Sequence, residues 1–100
     1  MLIVLAKAKV SAAALEEASK AIAAMVAASN AEEGCIAYAF AQDLLEPNVL
    51  HIVEKWRDEA ALAAHFATPH MAAFSAAIAG LGFEVIEARK YHADEGVPVM

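Results

Sequence analysis

The chain has 100 residues, seven Lys and Arg against thirteen Asp and Glu, and a net charge of −6, which describes one domain and offers no basic cluster to a nucleic-acid partner. Its 61% apolar fraction overstates the core, since 27 residues are Ala, a strong helix former whose methyl side chain contributes little buried area. No run reaches the roughly 18–20 apolar residues of a membrane span, and a lone Cys35, unable to form an internal disulfide, suits a reducing, cytoplasmic compartment.

Leu2–Val10 (LIVLAKAKV) opens as an apolar run and then alternates, the pattern of a strand. Lys7 and Lys9 inside it argue against a signal peptide. Ser11 is a natural N-cap, Glu16 and Glu17 lie near the positive end of the following helix, and Leu15, Ala18, Ile22, Met25, Val26 and Ser29 recur at helical spacing. That helix is expected to end near Asn30, with Gly34 in the turn beyond it. Cys35–Gln42 (CIAYAFAQ) alternates, which predicts a strand with Ile36, Tyr38 and Phe40 on one face and Cys35, Ala37, Ala39 and Ala41 on the other. Asp43–Asn48 contains Pro47 and reads as a hairpin loop.

Val49–Arg57 is the third strand, with Leu50, Ile52, Glu54 and Trp56 on one face. Asp58 caps a helix over Glu59–Ala67, and Thr68–Pro69 restarts it, because Thr is a good N-cap and Pro suits the first helical position. Phe74, Ala77, Ile78 and Leu81 continue at helical spacing until Gly80 and Gly82 close the segment. Phe83–His92 (FEVIEARKYH) alternates as a last strand and 93–100 is a tail. The order β-α-β-β-α-β is the split βαβ, ferredoxin-like arrangement of an α+β domain with helices on one face of the sheet. Two helices cover only one face, while Val49 and Val53 are apolar opposite Leu50 and Ile52. A second copy covering the open face, a homodimer, is the expectation.

The segment from Val49 to His70 carries the only Trp and three of the four His. Within it, Glu54-Lys55-Trp56-Arg57-Asp58-Glu59-Ala60-Ala61-Leu62-Ala63-Ala64-His65 resembles the E-x-W-x-D-x-x-A-L-x-x-H element of antibiotic biosynthesis monooxygenase (ABM) domains. Gly34-Cys35-Ile36-Ala37-Tyr38 is similar to their G-C-x-x-Y element, and Thr68-Pro69-His70 to the T-P-H that often follows. The resemblance covers about residues 2–92 of a single 1–100 domain. It implies a dimeric α+β barrel whose subunits each hold a pocket between helices and sheet. It also implies a choice among activities: cofactor-independent oxygenation of quinols and polycyclic phenols, haem degradation, or isomerisation of a phosphorylated sugar. The haem-degrading members use an Asn on the first strand, where this chain has Ala6. The isomerase would want a basic pocket, for which Arg57, Arg89 and Lys90 are the available cations.

An electron-rich phenolate or hydroquinone anion can give one electron to triplet oxygen itself, so the resemblance implies an enzyme without metal or flavin that deprotonates the ring hydroxyl and excludes water. His65 is the candidate base or hydrogen-bond partner, because an imidazole titrates near neutrality; the plain alternative is a core histidine bonded to a backbone carbonyl. Trp56 offers a stacking face or an indole N–H, or simply core packing. Tyr38 and Phe66 are the candidate pocket walls. Glu54 shares the face of Trp56 and, if buried, needs a partner, for which Arg89 or Lys90 are candidates; Tyr91 is a further phenol. Cys35 reads as a small buried hydrophobe. His65 and His70 depart from the i,i+4 spacing of H-E-x-x-H, so no metal site is expected, and no glycine-rich nucleotide motif is present. The partners expected are a small aromatic substrate, oxygen and a second copy of the chain. A dimeric module that holds an aromatic metabolite without turnover is the alternative from another class.

Overall fold

The computed structural model describes all 100 residues, with strands β1 (Leu2–Lys9), β2 (Cys35–Gln42), β3 (Val49–Trp56) and β4 (Glu84–His92), and helices α1 (Leu15–Asn30), α2 (Glu59–Phe66) and α3 (Pro69–Ile78). The strands form one sheet in the order β2-β3-β1-β4, every neighbouring pair antiparallel. This is the α+β, ferredoxin-like order expected from the alternation of elements.

Period-2 alternation sends Leu2 and Ala8 of β1 and Leu50, Ile52 and Trp56 of β3 to the helix side, where all five are buried. Leu2, Leu50 and Trp56 meet Ala18, Ile22 and Met25 from α1, Leu62 from α2 and Phe74 from α3. The opposite face carries Leu5, Val53 and Tyr91, with Leu5 paired across to Val53 and Ile3 to Tyr91. Leu5 and Val53 remain 45% and 39% exposed. The two-layer fold therefore leaves apolar side chains on the face without helices.

Two local expectations are corrected. Ser11 makes no side-chain cap; the chain passes through a short 3₁₀ turn, Ala12–Ala14, and α1 begins at Leu15. In β2 the register shifts between Cys35 and Ala37, so Ile36 drops out of the pairing and is exposed while Cys35 lies opposite Trp56. A bulge reverses the parity of every residue before it, which is why strict alternation misplaced Ile36 and Cys35. A second irregularity, between Lys7 and Ala8, displaces Ile86 in β4.

The helix ends follow their sequence signals. The Asp58 carboxylate accepts the Ala61 N–H at 2.9 Å to cap α2, and Thr68 Oγ1 accepts the Met71 N–H at 3.2 Å to cap α3 with Pro69 in the first turn. Thr68 also donates its hydroxyl to the His65 carbonyl at 2.7 Å, which ties the end of α2 to the start of α3. Gly34 serves close approach rather than a left-handed turn, since a Cβ there would overlap the Cβ of Ala61 on α2.

Candidate active site

The side chains singled out in sequence meet at one end of the layer between helices and sheet. Trp56 ends β3 on its helix side, and the next turn begins α2, whose second turn brings His65 back over the indole. The two ring centroids are 4.7 Å apart, and both residues are almost fully buried, Trp56 at 0% and His65 at 1% exposure. Tyr38 of β2 completes the group, 5.4 Å from the imidazole and 6.3 Å from the indole in an edge-on arrangement. Phe66, the residue after His65, lies 5.7 Å from the imidazole and is 62% exposed.

Behind this aromatic cluster stands a residue that pattern reading missed. Glu32 sits in the tight turn between α1 and β2, fixed by backbone bonds from its own N–H to Ser29 and from Cys35 to its carbonyl. Its Oε2 lies 2.6 Å from Nδ1 of His65 and 2.8 Å from Nε2 of His70. An ionised carboxylate only accepts, so both imidazole nitrogens donate to it. Nδ1 is the only atom of the His65 ring with a hydrogen-bond partner in the chain. His65 thus departs from the plain expectation of a backbone-carbonyl partner. Glu32 left no signal in sequence because it lies 33 residues away, outside any element with a readable period. His70 was legible only as part of T-P-H.

The expected partner of Glu54 is also corrected. Its Oε1 accepts the indole N–H of Trp56 at 2.9 Å, while Lys90 turns to Glu59 at 3.0 Å and Arg89 to Glu87 at 3.8 Å. Burial pushes the Glu54 carboxyl above its ordinary range, against the opposing pull of the indole hydrogen bond. Burial, and then the charge of Glu54, push the Tyr38 phenol up strongly. The Cys35 thiol is raised by burial and by the Glu32 and Glu54 carboxylates, which makes it a poor nucleophile.

Open space lies beside the cluster rather than within it. A cleft of about 350 Å³ is lined by Val4, Leu62, Phe66, Ala88, Arg89 and Lys90, between α2 and the β1–β4 half of the sheet. Phe66 alone among the expected site residues lines it. A larger cleft of about 540 Å³ opens between α1 and the β2–β3 hairpin, with Leu15, Ile22, Phe40 and Leu50 among its walls.

With this geometry in place, comparison with known proteins fixes the family: the model of the antibiotic biosynthesis monooxygenase family matches residues 1–77. The chain belongs to that family. Among solved structures, the ABM domain superposes on an antibiotic biosynthesis monooxygenase homologue from Deinococcus radiodurans with a TM-score of 0.91 at 25% identity, covering 100% of this chain and 99% of that one. A Bacteroides thetaiotaomicron protein of unknown function, described as a possible oxidoreductase, is 31% identical with a TM-score of 0.82, covering 90% and 94%. A conserved Methanosarcina mazei protein is 28% identical with a TM-score of 0.84, covering 93% and 92%. An uncharacterised Synechocystis protein is 46% identical over 46 residues, and that stretch is 46% of the ABM domain here but only 31% of the curated relative. No helix of the ABM domain is long and apolar enough to cross a membrane.

Proposed function

We propose that the chain is a cofactor-independent monooxygenase that oxidises a quinol or related phenolic aromatic with molecular oxygen, acting as a cytoplasmic homodimer. The observation that carries this reading is the Glu32–His65 pair inside the aromatic cluster of Trp56, Tyr38 and Phe66. A carboxylate on Nδ1 fixes the ring and stabilises the cation formed when Nε2 takes a proton, which is how a general base is oriented and supported.

In this reading the substrate ring enters by the cleft beside Phe66, displacement of the exposed Phe66 ring opens the sealed imidazole to it, and His65 removes the proton of its hydroxyl. The resulting anion passes one electron to oxygen, and the two radicals combine to form a carbon–oxygen bond at a ring carbon. The distal peroxide oxygen then takes the hydrogen of that carbon as a proton while the O–O bond breaks, leaving a carbonyl on the ring and a hydroxide. The departing hydroxide takes the proton held by His65 and leaves as water, so a phenol and one oxygen molecule give a quinone and one water. Trp56 and Tyr38 hold the imidazole in an apolar setting, and Glu54 holds the indole through its N–H. The dry surroundings strengthen each of these contacts and limit side reactions of the peroxide.

The isomerase alternative finds less support: Arg89 and Lys90 do line the cleft beside Phe66, but Lys90 is paired with Glu59 at 3.0 Å, Arg89 lies 3.8 Å from Glu87, and Arg57 lines a separate cleft, paired with Asp58 at 3.3 Å. Oxygen uptake by metal-stripped protein with a panel of quinols and naphthols is the test. Stoichiometric uptake with quinone formation is expected. Tight binding of such rings with no uptake would instead favour the non-catalytic module.

A further inference from the structure

We propose that Glu32, His65 and His70 form a binding site for a divalent transition-metal ion of the zinc class. The three donor atoms, one carboxylate oxygen and one nitrogen from each ring, lie within 4.8 Å of one another. Two imidazoles and a carboxylate are a ligand set that zinc accepts, with a further position left for water. Zinc bonds of about 2.0–2.2 Å set neighbouring ligand atoms roughly 3.3–3.6 Å apart at tetrahedral angles. The two nitrogens now stand 2.6 and 2.8 Å from the oxygen. Opening those two separations by roughly 0.5–1 Å, and drawing the two rings together, therefore seats an ion where the shared proton bridges now lie.

The donors are held by independent supports, as a preformed site requires. His65 is packed against Trp56, Tyr38 and Phe66. His70 stands in the first turn of α3, whose N-terminus is capped by Thr68, and Glu32 is in a hydrogen-bonded turn. Glu32 also lines a cleft of about 280 Å³ with Gly34, Arg57, Ala61 and Thr68, which gives an ion a way in. The one cation on that cleft, Arg57, is matched by Asp58 at 3.3 Å and Glu33 at 3.8 Å. An ion here would clasp the α1–β2 turn to the α2–α3 junction.

Occupancy has a consequence that rests on the oxygenase reading. An ion on Nδ1 leaves the ring proton on Nε2, where the base of that reading must accept one, so the loaded protein is its inactive form. Binding itself does not depend on that reading.

The test is calorimetric titration of metal-stripped protein with Zn²⁺ in a non-chelating buffer, with Co²⁺ absorption as a report on coordination. One Zn²⁺ per chain is expected, with tetrahedral Co²⁺ bands and a rise in melting temperature. Because His65 is buried, the discriminating variants are His70→Ala and Glu32→Gln. Each should weaken Zn²⁺ binding by about 100-fold or more, at or beyond the upper end of the loss from removing an outer-shell partner. The absence of stoichiometric binding, or binding that both variants leave unchanged, overturns the site. Binding lost instead with His51→Ala puts the ion on the surface Asp43–His51 pair and also overturns it. On a confirmed substrate, Zn²⁺ should abolish oxygen uptake and a chelator restore it. Uptake that required the ion would sink the inactive-form consequence while leaving the binding result standing.

Discussion

His65 and Glu32, 33 residues apart in sequence, meet through a single 2.6 Å contact between Nδ1 and Oε2. That contact joins the end of the first βα unit to the middle of the second. If it orients a base, His65→Ala should lower turnover on a confirmed substrate by about 10²–10⁴-fold. Glu32→Gln should cost less, since the ring stays in place but loses the charge that supports its protonated form. Steady-state kinetics of both variants, with circular dichroism to confirm folding, decide the matter. Unchanged activity in His65→Ala would assign the imidazole to the core.

A second expectation concerns Glu54, whose carboxyl burial raises above its ordinary value of 4.5. A carboxyl raised by folding favours the protonated form in the native state. It therefore withdraws stability as pH climbs from the ordinary value through the raised one, and the deficit persists above. Glu54→Gln keeps an oxygen for the Trp56 indole and removes the charge. Urea midpoints should be higher for the variant at pH 7 and nearly equal to the parent at pH 4. A variant less stable than the parent at pH 7 would show that the charge itself is stabilising.

The opposite sign applies to Asp43. His51 at 2.8 Å, and then the Leu45 and Glu46 N–H groups, hold its carboxyl down at about 2. A depressed carboxyl contributes stability that is present above its ordinary value of 3.8 and lost as pH falls toward 2. Asp43→Asn should accordingly flatten the acid limb of the stability profile between pH 4 and 2. Parallel acid limbs for the two proteins would rule this pair out as a contributor.

How much of this was legible in sequence depended on the range of the signal. Element order, caps and the helix-side face of β3 followed from local periodicity and turn chemistry, so Trp56 and His65 could be matched in advance. The bulge at Ile36 was not legible, because the extra residue is defined by its pairing with β3 and not by its own neighbours. Glu32 escaped for a related reason: a turn carboxylate acquires meaning only from the two imidazoles that the fold brings to it. Sealing of the cluster was equally invisible, since the packing of α2 against the sheet decides whether an aromatic lines a cleft or fills the core.

Gly34 tests how strictly that packing is set. A methyl group there would overlap the Cβ of Ala61, in the helix that carries His65. Overpacking of this kind costs about 1–3 kcal/mol. Gly34→Ala should lower the urea midpoint accordingly, and Gly34→Ala with Ala61→Gly should recover most of the loss. A stable single variant would mean that α2 shifts freely relative to the β2 turn.

The open sheet face predicts assembly. Leu5 and Val53 face each other across β1 and β3, Tyr91 lies beside Ile3 on β4, and none of the three helices covers them. Soluble monomers seldom leave a contiguous apolar patch larger than a few hundred Å². A two-fold contact buries such a patch by using one surface twice. Obligate contacts of this kind commonly bury about 2,000 Å² or more and leave no stable monomer. Light scattering at micromolar concentration should give twice the chain mass of 10.5 kDa. Val53→Asp sets a charge between Leu5 and Ala39 at the middle of that face, and the expected result is lost solubility or folding rather than a tidy monomer. A well-folded monomer of the unaltered chain would defeat the face-to-face assembly, because the exposed Leu5 and Val53 would then have to be tolerated in water.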